Sequence, residues 1–105
     1  MFIVMIYLNI TFKSMEEAEA LARELITRKV AGIVSVAPIK SFYPADGTVS
    51  ERDEALLKAT TIDSKVQEVE DIVRERSEGK IPRVISFSLF RIAREYKDWL
   101  SGHVT

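Results

Sequence analysis

Cysteine is absent from the chain, and histidine occurs once, as His103. The first absence excludes disulfides and thiolate-bound metals, because both need sulfur that the sequence does not carry. The second excludes an imidazole cluster built within one chain. Only Met1, Met5 and Met15 offer sulfur to a soft metal, so copper is not supported. Asparagine and glutamine also occur once each, as Asn9 and Gln67, a scarcity of thermolabile amides that hints at a hot-growing source. Neither sign of charge is in excess: the formal net charge is -1. A surface so balanced lacks the basic patch that displaces counterions from phosphates, which argues against nucleic acid. Long hydrophobic runs are missing too. The opening MFIVMIYLNI is apolar but too short to cross a bilayer, and it has neither a basic n-region nor a small-residue cleavage site. The expected location is the cytoplasm, with no membrane partner.

What is present is ordinary for a globular protein: 105 residues, 47% hydrophobic and 30% charged. One domain over residues 1–105 is the simplest organisation, with no repeat, linker or low-complexity tract. A chain this short buries only about 60–70% of its unfolded surface, so its own core is modest and partner subunits would help it.

Residues 2–12 combine β-branched and aromatic types and read as a strand. Both of its faces are apolar. Phe2, Val4, Ile6, Leu8 and Ile10 occupy one, while Ile3, Met5 and Tyr7 occupy the other, so a sheet covered on one side only would leave the second set wet. Ser14 with Glu17 three residues on is a capping-box signature, and Ala18, Leu21, Ala22, Leu25 and Ile26 then recur at helical spacing over 15–29, with Gly32 as a stop. A second strand, 33–43, reaches Pro38 midway, where the lost donor calls for an edge or a bulge. Asp46-Gly47 is a turn dipeptide, and the chain returns through ALLKATT, so SFYPADGTVSERDE forms the outer half of a β-hairpin. Asp63 or Ser64 caps a second helix, 64–78, with Val66, Val69, Ile72 and Val73 as its stripe and Gly79 as its end. After Pro82, Ile85, Phe87 and Leu89 alternate along a last strand, and a short amphipathic helix with Tyr96, Trp99 and Leu100 closes the chain.

The order β-α-β-β-α-β plus a terminal helix is the ferredoxin-like α+β pattern, with a long hairpin and a short C-terminal helix. Both main helices then lie on one sheet face. Met5 and Tyr7 look out of the other, and exposed apolar surface of that extent marks an association site. The hairpin, too long to pack on its own body, is expected to reach a neighbouring subunit.

Over Ile3 to Leu100 the chain resembles the CutA divalent-ion tolerance family. KVAGIVSVAP is similar to that family's Arg-Leu-Ala-Ala-Cys-Val-Asn-x-x-Pro, LLKATT to its Ile-Leu-Lys-Thr-Thr, and Pro82 with Tyr96-Lys97-Asp98-Trp99-Leu100 to its Pro and Tyr-x-x-Trp-Leu. Ser41-Phe42-Tyr43 before a polar turn with Gly47 falls in the same order. The chain departs from the pattern at Ile33, where the family carries cysteine, at Ser77-Glu78-Gly79, where it carries His-Pro-Tyr, and at Ala45, where it carries Trp. A strand shortened by two residues before Lys58 keeps side chains on their faces and aligns Lys58 with the family lysine; a one-residue shift puts Ala59 there. The resemblance implies a homotrimer of ferredoxin-like subunits, similar in assembly to the PII signalling proteins, with hairpins reaching across to neighbours. It implies a role in ion tolerance, with no established catalysis.

Candidate ligand-binding residues are Tyr43, Glu54, Lys58, Tyr96 and Trp99. A partly buried mid-strand lysine at Lys58 wants a carboxylate or an anion: Glu54 or Asp53 of a neighbouring hairpin is the structural alternative, a small-anion cleft the functional one. Tyr43, Tyr96 and Trp99 would line such a cleft with rings and polar tips, although aromatics at helical spacing more often serve packing. Glu51, Asp53 and Glu54 are oxygen donors for a hard divalent cation, or simply a solvated hairpin edge. His103 near the terminus reads as a solvated tail sooner than a ligand. No metal site and no cofactor are assigned. IYLNI lacks the aromatic partner strand of an RNA-recognition sheet, NITFKSME lacks the glycines and arginine of an acylphosphatase loop, and no nucleophile, base and orienting partner stand at a usable spacing, so no enzyme is expected. The second reading is a structural trimer that has lost its ligand chemistry.

Overall fold

The structure is a computed structural model that describes residues 4–104. Phe2 and Ile3, read above as the start of the first strand, and the sulfur donor Met1 lie outside the described residues. β1 (Met5–Phe12), α1 (Met15–Thr27), β2 (Val34–Ala45), β3 (Thr48–Ile62), α2 (Val66–Arg76), β4 (Val84–Ser88) and α3 (Arg94–His103) follow in the expected order. The sheet is antiparallel, ordered β2-β3-β1-β4.

Local chemistry accounts for the element ends. Ser14 caps α1 by accepting the Glu17 N–H at 3.2 Å. α1 stops at Thr27, two residues short of the sequence reading, because Lys29 turns into the left-handed region at φ 58°. The expected caps of the second helix do not form. Residues Asp63–Lys65 make one tight turn without a side-chain cap, and α2 proper begins at Val66 and ends at Arg76. Pro38 sits in β2, an edge strand, where the missing donor faces no partner.

Register decides what each face carries. β1 pairs with β3 from Met5 opposite Ile62 to Phe12 opposite Ala55, and this places Ile6, Leu8, Ile10 and Phe12 beside Ala55, Leu57 and Ala59. That face is closed by Ala18, Leu21 and Leu25 of α1 and Val69, Ile72 and Val73 of α2. Beyond Ala55 the hairpin has no third strand. β2 and β3 continue together to Ala45 opposite Thr48, and the molecule stretches to 50 × 25 × 20 Å.

The opposite face corrects one expectation. Met5 does not look out: α3 folds back over it, and Met5, Leu100 and Val104 form a second small core. Gly32 makes this docking possible, since a Cβ there would collide with Leu100 Cδ1 and approach Trp99 Cζ3 to 3.2 Å. Tyr7 is half-buried, its ring centre 5.2 Å from that of Phe87. The rest of this face stays open. Ile85 is 64% and Phe87 45% exposed, and between them and β3 lies Asn9, whose Oδ1 is the one buried side-chain oxygen or nitrogen without a hydrogen-bond partner among the described residues.

Candidate functional site

The base of the hairpin holds an ion pair that strand alternation assembles. Tyr43, Ser41 and Ile39 of β2 stand opposite Ser50, Arg52 and Glu54 of β3, so Tyr43, Arg52 and Glu54 share one side of the ribbon. The loop after α2 supplies the fourth member: the Thr11 N–H donates to the Arg83 carbonyl at 3.2 Å, fixing that backbone beside the end of β1. Arg83 then donates Nη2 to Glu54 Oε2 at 2.8 Å and Nη1 to Glu54 Oε1 at 3.1 Å. Nη1 also donates to the Tyr43 hydroxyl, which donates in turn to Glu54 Oε1. The Arg52 guanidinium lies over the Tyr43 ring, 4.5 Å from its centre.

Burial makes this network costly unless it is complete. The Glu54 residue is only 6% exposed. Its carboxyl is held down to about 2, first by the Arg83 hydrogen bond and then, against the opposing effect of burial, by the Tyr43 and Ser41 hydrogen bonds. The same contacts raise Tyr43, chiefly through Glu54, and raise Arg83 through Glu54. A cleft of about 540 Å³ opens in front of the network, bounded by Lys13 and Glu17 at the start of α1 and by Ser77, Lys80 and Arg83 in the loop after α2.

Within one chain four of the five residues singled out from sequence fall into two groups. Tyr43 and Glu54 meet at the cleft. Tyr96 and Trp99 lie on α3, where the Tyr96 hydroxyl is 2.9 Å from Thr60 Oγ1, the Tyr96 and Trp99 rings are 6.1 Å apart, and Trp99 stacks on His103 at 4.3 Å. His103 Nδ1 is 2.8 Å from the Trp99 carbonyl oxygen, so the ring rests on its own helix while the residue stays exposed to solvent. Lys58 stands apart from both groups. It is exposed, across the sheet from Asn9 and Ser35, and the partly buried position expected of it is not what the chain adopts. Its alternation opposite the core residues Leu57 and Ala59 turns it to the open face. Glu54, the carboxylate offered to it by the sequence reading, is taken by Arg83 of the same chain.

Arg83 went unread in the sequence because it follows Pro82 at the head of an ordinary apolar strand. The available signal was Glu54 itself: a carboxylate running into Ala55, Leu56 and Leu57 needs a cation. Among the described residues no three metal-ligating side chains gather at one place. Glu51 and Asp53, offered with Glu54 as oxygen donors, are exposed and alternate to the opposite side of the ribbon from Glu54, with Asp53 also bordering the cleft.

The family model of the CutA1 divalent ion tolerance protein matches residues 5–103. The chain belongs to the CutA1 family. A divalent-cation tolerance protein CutA of Archaeoglobus fulgidus is 32% identical over 98 residues, which span 93% of this chain and 96% of that protein. The solved structure of a CutA from the same organism, described as periplasmic, superposes with a TM-score of 0.88 at 31% identity, over 96% of this chain and 99% of that one. CutA1 from Oryza sativa gives a TM-score of 0.90 at 27% identity, over 98% and 95%. The ferredoxin-like arrangement read from element order is therefore the CutA1 fold, and these relatives are named for tolerance and not for a reaction.

Proposed function

We propose that this CutA1 chain is a non-enzymatic binding protein of divalent-cation tolerance, assembled as a homotrimer and taking an ion or small ligand in clefts between subunits. The observation that carries the reading is the pairing of the buried Glu54 carboxylate with the partly exposed Arg83 at the cleft wall. Taking a carboxylate out of water to meet a guanidinium is a poor way to gain stability, because desolvation offsets much of the attraction, so its presence beside an open cleft favours a role in positioning a ligand. Assembly is supported by the open sheet face, where Ile85, Phe87 and the unpartnered Asn9 oxygen await a cover. The hairpin arm, with Phe42 63% and Val49 65% exposed, is suited to lie on a neighbour.

Tyr43 and Glu54 form the proposed cleft's own wall, and we assign Lys58, Tyr96 and Trp99 to the contribution of an adjacent subunit. Calorimetric titration with divalent metals and nucleotides tests this. Saturable heat at one site per subunit, abolished by Lys58→Ala in a trimer that stays intact, is the expected result; unaltered binding removes Lys58 from the site. The exposed, scattered position of Lys58 in the single chain favours a second reading, a structural trimer without ligand chemistry, and silence across the whole panel would select it. The cytoplasm is the proposed location. No helix among the described residues is long and apolar enough to cross a membrane, and cell fractionation separates cytoplasm from periplasm.

A further inference from the structure

The cleft at the hairpin base is lined by charges of both signs, and pairing sorts them. Lys13 and Glu17 lie 3.4 Å apart and neutralise each other, while Arg76 is engaged by Glu24 of α1. Glu54 is saturated. Arg83 and Tyr43 occupy its two oxygens, and its side chain is 3% exposed, so a metal ion reaching it would have to evict a bidentate guanidinium. Ionised down to about 2, this carboxylate is spent on holding Arg83 and Tyr43 in place.

Four lining charges have no ion-pair partner among the described residues: Arg52, Lys80, Asp53 and Glu78. Alternation along β3 separates the first from the third. Arg52 lies on the Tyr43 side, over its ring, whereas Asp53 stands on the other side of the ribbon across from Lys40. Glu78, in the turn after α2, and Asp53 at the rim are then two carboxylates against three cationic heads: Arg52, Lys80 and the outer edge of Arg83, whose side chain is 36% exposed.

We propose that the cleft takes a multiply charged oxyanion, a phosphate ester or a polycarboxylate, held by Arg52, Lys80 and the solvent-facing edge of Arg83, and does not take a divalent cation. Tyr43 and Glu54 are positioning residues that aim Arg83. The inference rests on the ligand-cleft reading above and fixes the charge of what binds there. It is also a way for a protein with no metal-ligating cluster among its described residues to act near metals, through the anions that carry them.

The test is isothermal calorimetry on the full chain with sodium pyrophosphate and sodium citrate, and separately with magnesium, manganese and zinc chlorides. Saturable binding of one or both anions is expected; pyrophosphate alone selects phosphate esters, and both together select multiply charged oxyanions of either kind. Arg52→Gln with Lys80→Gln should weaken that binding about tenfold or more, the scale of a lost charge-assisted hydrogen bond. Both residues are exposed, and an unchanged circular dichroism spectrum verifies the fold. Glu54→Gln, if folded by the same criterion, should weaken anion binding by less than the double substitution, because the amide oxygen still accepts from Arg83 but holds it less firmly than the carboxylate does. Anion binding unmoved by the double substitution overturns the assignment. Saturable heat from the metal chlorides alone, lost in Glu54→Gln, overturns the inference and leaves the cleft reading standing, whereas no saturable heat from either class takes down both.

Discussion

Glu54→Gln isolates the buried charge with little change of shape, and its cost can be worked from the structure. The carboxyl falls from an ordinary 4.5 to about 2, with the Arg83 hydrogen bond as the leading cause. Each unit is worth about 1.4 kcal/mol, so the charged form is favoured by about 3–4 kcal/mol on folding. Arg83 is partly in water, and screening trims the expected loss at neutral pH to about 2–3 kcal/mol. The sign of the pH dependence follows. A depressed folded-state pKa contributes stability that is fully present above 4.5 and is lost as pH falls toward 2. Urea unfolding at one protein concentration, followed from pH 7 to pH 2.5, should therefore show a gap between the two proteins that is widest at neutral pH and closes below 4.5. A substitution that costs less than about 0.5 kcal/mol at pH 7, within the range of an ordinary surface change, would refute the reasoning. So would a gap that does not narrow in acid.

Gly32→Ala places a Cβ against Leu100 Cδ1 and should destabilise by about 1–3 kcal/mol, whereas Leu100→Ala should cost about 2–5 kcal/mol through the cavity it leaves. Because the second change removes the atom that the first one strikes, the double variant should lose less than the sum, a coupling that thermal melts of all four proteins would reveal; strict additivity would mean that Gly32 is not the seat of Leu100. Ile85→Asp with Phe87→Asp puts two charges on the open sheet face and should shift light scattering from a trimer to smaller species with the circular dichroism spectrum retained. A wild-type chain that scatters as a single copy at micromolar concentration, or a double variant still trimeric, would remove that face from the assembly.

Period and punctuation along the chain were enough to read the elements: alternation in β1, the three-to-four spacing of Leu21 and Leu25, the Ser14 cap, Pro38 at an edge and Asp46-Gly47 at the hairpin turn all depend on neighbours within a few residues. Their order then admits few topologies, which is why the ferredoxin-like class was legible before any coordinate. The site was legible only by halves. Tyr43 and Glu54 are brought together by hairpin register, a property that follows from the turn, but Arg83 reaches them from 29 residues beyond Glu54 through the packing of a loop, and no local pattern encodes that meeting. The same holds for α3. Its amphipathic stripe announced a helix without saying which surface it would cover, and only the notch at Gly32 sends Leu100 over Met5. Short-range sterics and hydrogen bonding write secondary structure into the chain, whereas which charge meets which carboxylate is chosen when distant segments compete for the same buried space.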